Sequence, residues 1–193
     1  LGSGSAIPVS NLVVTAVGDV VAMGSFSTTF GVSRWTGSAW TALPPGIPAG
    51  ALPFAPSGAS GVLFRTTTSL WLLDAAGWSV LVPWTQAADV RCAALLANGD
   101  VVVGGSFLIF EGLPAQRVAH RRAGVWGSTG SGGVGGVTAI AATPSGDIFV
   151  GGTFTQVGGV SAAGVARFDG NSWSPLGFSA QLGYRFKDTT LRA

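Results

Sequence analysis

Apolar residues come in short runs, each closed by glycine, proline or a polar turn. The clearest run is Ile148-Phe149-Val150, which follows Gly146-Asp147 and leads into Gly151-Gly152. A strand with one wet face alternates apolar and polar residues. This one does not, so both of its faces are expected to be covered. Stacked small sheets do that, each sheet burying its neighbour. The surrounding segment divides into four short strands. VTAIAAT (137–143) is strand A, DIFVGGTF (147–154) strand B, AGVARFD (163–169) strand C and SWSPL (172–176) strand D. Pro144-Ser145-Gly146 turns A into B. Asp169-Gly170 signals a tight hairpin between C and D, because glycine accepts positive φ. The glycine pair ending strand B predicts a bulge or a close backbone approach.

The same pattern recurs. GDVVAMGSF occupies 18–26, GDVVVGGSF 99–107 and GDIFVGGTF 146–154. A degenerate copy, GVLFRTTTS, starts at Gly61. Each copy is followed by a segment ending in tryptophan: Trp40, Trp78, Trp126 and Trp173, spaced 38, 48 and 47 residues apart. Self-similarity at that period marks a repeat architecture. Four-stranded units in series describe blades of a β-propeller. The expected fold is therefore all-β, with four four-stranded blades at about 1–50, 51–88, 89–136 and 137–177. Residues 178–193 form a divergent charged tail or the start of a further blade. Leu1-Gly2-Ser3-Gly4 reads like the blade end Ser174-Pro175-Leu176-Gly177, and Tyr184 lies 47 residues after Val137. Both predict further blades, making this stretch part of a larger propeller. The aromatics after strand B (Phe26, Phe107, Phe154) are expected to fill the space between sheets.

The segments GD-apolar-GG-[ST]-F and GVARFDGNSWSPLG resemble the kelch-like repeats of the galactose-oxidase central-domain superfamily. They are most similar to copies in bacterial secreted surface proteins and fungal cortical polarity markers. The resemblance spans about residues 1–177, clear in the last two copies and poor in the second. It implies extracellular or cell-surface display and a binding or scaffold role. The copper oxidase chemistry of some relatives does not carry over. It needs a Cys–Tyr crosslink, a second Tyr and two His, and the chain has one Cys, one Tyr and one His.

Composition narrows the chemistry further. Charged residues are 9% of the chain, against roughly 25% in an average soluble domain. A net charge of +2 gives no reason to expect nucleic acid. A structural zinc site needs four Cys or His ligands, and Cys92 and His120 are the only two. No G-x-S-x-G elbow surrounds a serine. Glu111 is the sole glutamate, so an enzymatic reading would rest on rim aspartates. Cys92, in VRCAALL, reads as a buried hydrophobe. Gly130 to Gly135 spell G-x-G-x-x-G, but a β-type segment follows where a dinucleotide site needs a helix. The reading is of no enzyme, no cofactor and no membrane span.

Two polar patterns remain. Asp19, Asp100 and Asp147 open strand B at one repeat position. Arg34 and Arg167 sit six residues before the matched tryptophan, with His120 in that place in copy three. Antiparallel pairing predicts Asp–Arg contacts, lost jointly in copy two, where the repeat puts Val62 and Leu72. Arg117, His120, Arg121 and Arg122 form a small basic cluster, read as decoration of an outer strand. The B–C loops of copies three and four, 108–116 and 155–163, are the longest, and such loops share one rim with the D–A loops. Variable rim loops carry binding residues. Phe110 is the expected apolar platform, with Glu111, Gln116, Gln156 and Arg117 as polar contacts. The partner would be a protein or a glycan. The alternative role is an accessory carbohydrate-binding propeller of a larger hydrolase.

Overall fold

The computed structural model describes residues 9–15, 18–26, 29–46, 50–54, 61–83, 89–130 and 135–176. Among them are eighteen strands and no helix, so none that could cross a membrane. The first sheet is β1 (Val9–Val14), β2 (Val20–Phe26), β3 (Thr29–Trp35) and β4 (Trp40–Ala42). The second is β5 (Leu52–Pro53), β6 (Val62–Arg65), β7 (Ser69–Asp74) and β8 (Gly77–Pro83). The third is β9 (Val90–Leu95), β10 (Val101–Gly105), β11 (Val118–Arg122) and β12 (Val125–Ser128). The fourth is β13 (Val137–Ala142), β14 (Ile148–Gly152), β17 (Val165–Phe168) and β18 (Trp173–Pro175). A small hairpin, β15 (Gln156–Val157) and β16 (Val160–Ser161), interrupts it. Each of the four four-stranded sheets is antiparallel with its strands in A-B-C-D order.

Three apolar cores lie between consecutive sheets. Val13 and Val21 meet Val62 and Phe64 between the first two. Leu63 and Leu70 meet Ala93, Leu95, Val101 and Val103 in the next. Cys92, Val102 and Val118 meet Val137, Ile148, Val150 and Trp173 in the last. Val101 and Val103 thus serve one core and Val102 the other. All three are fully buried. This is the covering of both faces expected of an unbroken run; in Ile148-Phe149-Val150, by contrast, Ile148 and Val150 are buried in one core and Phe149 is half-exposed. The sheets are successive blades of a β-propeller.

The glycine pairs do what their position requires. The β9–β10 register shifts between Gly104 and Gly105. A Cβ on Gly105 would lie 1.8 Å from the Asp89 carbonyl oxygen, and one on Gly152 2.1 Å from that of Gly136. Phe107 and Phe154 fill inter-sheet cores as expected; the Phe26 side chain lies outside the described residues. So do Leu1 to Gly4, Ser131 to Val134 of the glycine-rich loop, and the tail containing Tyr184.

One register differs from the sequence reading. Leu63 pairs with Leu72, as Val21 pairs with Arg34 and Phe149 with Arg167. Gly61, not Val62, therefore holds the aspartate position of the second copy. The gap left by the missing pair is filled: a Cβ on Gly61 would lie 2.9 Å from Leu72 Cδ1.

Candidate functional site

The repeated polar pair closes the A–B turn. Asp19 accepts from Arg34 Nε at 2.7 Å and is also bridged by the Nη2 nitrogen. Arg167 Nη2 lies 3.0 Å from Asp147 Oδ1. Both arginines are over 40% exposed, so these pairs set strand pairing and add little stability. In copy three, His120 takes the arginine's place, its Nε2 3.6 Å from Asp100 Oδ2. His120 Nδ1 accepts from Arg122 Nε at 3.0 Å, which puts the neutral ring's proton on Nε2. Burial, and then the Arg122 charge, push the His120 pKa below its ordinary value. Arg122 also donates to the Gly170 carbonyl and stacks on Phe168. It therefore clamps the third blade to the fourth instead of decorating a free surface.

Cys92 is buried, and desolvation raises its pKa to about 12. Its Sγ lies 3.8 Å from the Val137 carbonyl oxygen. Arg91 turns away to pair with Asp89 at 2.6 Å. A thiol in that setting has no thiolate to offer at neutral pH.

On the B–C rim, both long loops fold as miniature hairpins of the same design. Val157 pairs with Val160 around Gly158-Gly159, and Phe110 bridges Leu113 around Glu111-Gly112. In each, both turn residues have positive φ: 58° and 80° in the first, 50° and 78° in the second. That is the geometry of a two-residue hairpin turn. A side chain at the Gly158 position would strike the Trp173 ring, with Cβ 1.8 Å from Cδ1.

The sequence-predicted site residues divide. Phe110 is fully buried, 5.2 Å from the Phe107 ring and 4.8 Å from that of Trp126. The platform reading is corrected: the hairpin folds inward, and Phe110 belongs to the core between the second and third sheets. The exposed apolar groups of this loop are Leu108 and Ile109, 60% and 57% accessible, which the sequence reading passed over. Glu111, Gln116 and Arg117 are half-buried on the same loop, and Gln156 is exposed on the next sheet's hairpin. Glu111, Gln116 and Arg117 have φ of 50°, 41° and 86°. The Gly105 amide donates to the Arg117 carbonyl as the Gly152 amide does to that of Gly164. Arg117 thus stands where the fourth copy has Gly164 at 80°, and Glu111 where it has Gly158. Arg117 Nη1 donates to the Ser106 carbonyl at 3.3 Å.

The opposite rim holds a groove that no sequence motif announced. About 650 Å³ opens between the first two sheets, bordered by Thr15, Arg34, Thr41, Pro44, Pro45 and Asp74 among others.

Comparison with known proteins gives one family match. A β-propeller domain of unknown function, DUF5122, matches residues 143–172. No curated protein matches the chain. A solved structure described as YCF48 bound to D1 peptide is similar at 14% identity and a TM-score of 0.46. The match covers 90% of this chain and 55% of that one, so the chain spans about half of its length.

Proposed function

We propose that this propeller segment is a non-catalytic binding or scaffold module that holds a protein or peptide partner on its B–C rim. The observation that carries the reading is the replacement of two left-handed glycines by Glu111 and Arg117. Residues with a Cβ are strained there, and such strain gathers at functional sites. A glycine would serve the turn better, so the charged side chains are the gain. Leu108 and Ile109 supply an aliphatic surface beside them. A sugar wants an aromatic face, and the one aromatic of this loop, Phe110, is buried; that favours a peptide over a glycan. The kelch-like resemblance supports display on a cell surface or outside the cell. It also supports propeller repeats beyond this stretch.

The test compares the chain with a Glu111→Gly/Arg117→Gly variant against an extended-peptide library and a glycan array. The expected result is peptide binding that drops at least tenfold in the variant while the fold is kept. Binding that survives the change would move the site to the groove between the first two sheets, which Arg34→Met and Asp74→Asn would then probe. Glycan binding without peptide binding would favour the carbohydrate-binding role.

A further inference from the structure

Two clefts occupy one repeat position, between strand D of a blade and the C–D turn of the next. Strand register aligns them. Trp35 pairs with Trp40 as Arg121 does with Trp126. Leu73 pairs with Trp78 as Phe168 does with Trp173. Thr36 therefore stands where the third blade has Arg122. Leu73, Asp74 and Ala75 stand where the fourth blade has Phe168, Asp169 and Gly170. Strand D borders both clefts, with Thr41 to Leu43 in one and Gly127 to Thr129 in the other.

The cleft between the third and fourth blades holds a guanidinium of the chain itself. Arg122 lies 5.6 Å over the Phe168 ring and donates to the Gly170 carbonyl. With that side chain in place about 290 Å³ remains, against about 650 Å³ between the first two blades. Thr36 has no guanidinium to offer there. The carboxylates differ in the same sense. Asp169 is spent on its own turn: Oδ1 accepts from the Asn171 and Ser172 amides, and Oδ2 from the Ser172 hydroxyl at 3.2 Å. Asp74 Oδ1 accepts from the Ala76 amide at 2.8 Å, and its Oδ2 has no partner among the described residues. Arg34 also borders the groove, but its Nε and Nη2 are both held by Asp19, which neutralises it. Asp74 is thus the one charged residue of the lining without an ion pair among the described residues.

We propose that the groove between the first two blades binds an arginine side chain of a partner polypeptide, seated as Arg122 is seated between the third and fourth. The guanidinium takes the spare Asp74 oxygen and the turn carbonyl of Ala75, the counterpart of Gly170. Its stem lies against Leu73, which replaces the Phe168 ring with an aliphatic wall. Arginine fits two such acceptors better than lysine, because its planar fork presents several donors where an ammonium is a point charge. The room beyond one side chain suits the flanking residues of an extended segment, which favours a polypeptide over free arginine. This site lies on the rim opposite Glu111 and Arg117 and does not rest on the reading of that rim.

Chemical-shift titration of the isotope-labelled 193-residue chain tests it. The probes are short capped alanine peptides with a central arginine, lysine, citrulline or glutamate. The arginine peptide should shift the amides of Leu73 to Ala76 and of Ala42 and Leu43, and should bind about tenfold tighter than its neutral citrulline isostere. Asp74→Asn keeps the acceptor for the Ala76 amide and should weaken arginine binding by about the same factor. Thr36→Arg supplies the guanidinium in cis, as Arg122 does, and should block the peptide while raising the melting temperature. Glu111→Gly/Arg117→Gly should leave this binding untouched, so the two rims fail or succeed separately. Arginine binding that survives either Asp74→Asn or Thr36→Arg overturns the proposal. So does equal binding of the citrulline peptide, absence of shifts at the groove, or tighter binding of the glutamate peptide, which would give the groove to Arg34 and an anion.

Discussion

At Arg117 and Glu111 a left-handed backbone carries a side chain where the fourth copy uses glycine. For an L-residue that conformation is unfavourable by roughly 1–2 kcal/mol, and glycine gives part of the gain back as unfolded-state entropy. Arg117→Gly should therefore raise stability by up to ~1 kcal/mol, read from the urea midpoint, while weakening rim binding. A fall in stability would show that the Ser106 contact matters more than the strain. His120 gives a second prediction at this scale. Its pKa is lowered in the folded protein, mainly by burial. The unfolded chain therefore takes up a proton first as pH falls. Stability from this group is full above the unfolded value of roughly 6.5 and is lost as pH drops through the folded one. It is the only histidine, so the melting temperature should decline between about pH 7 and pH 5. His120→Gln should flatten that decline, and an unchanged slope would refute the assignment.

In the second and fourth blades, strand D joins the blade to the one before it. The Trp173 indole N–H donates to the Thr129 carbonyl at 2.8 Å, and that of Trp78 to the Pro44 carbonyl at 3.0 Å. In these two copies the tryptophan is a latch between blades, whereas the buried Trp126 indole N–H of the third has no hydrogen-bond partner among the described residues. Trp173→Phe keeps most of the ring but leaves the Thr129 oxygen without this donor. It should destabilise by about 1 kcal/mol, measured by chemical denaturation with an unchanged m-value. Three of the sheets and the Asp19–Arg34 and Asp147–Arg167 pairs were legible because a shared Gly-Asp opening, apolar run and later glycine fix the strand phase. The second copy lacks that signature. Val62, Leu63 and Phe64 are all buried, so polarity gives no phase, and a slip of one residue changes nothing visible in the sequence. Phe110 was misread for a related reason. A loop dense in Gly and Pro looks wet, and only the hairpin's packing on Trp126 turns the ring inward. The groove between the first two sheets is bordered by residues far apart in the sequence, such as Thr15 and Asp74, so it registers only once the blades are stacked.

In a stack, each blade draws its stability from its own hydrogen bonds and from the neighbours on either side. The central blades have two neighbours and the outer ones have one within the chain. The same repeat position should therefore respond differently by place. Leu95 and Val14 are equivalent, yet Leu95 is 3% accessible and Val14 60%. Leu95→Ala empties a filled core and should cost about 2–5 kcal/mol. Val14→Ala, at an exposed position, should stay within ~0.5 kcal/mol. Urea midpoints of the two variants measure this directly. Equal effects of the two alanine changes would mean that the outer face of the first blade is covered from within the chain.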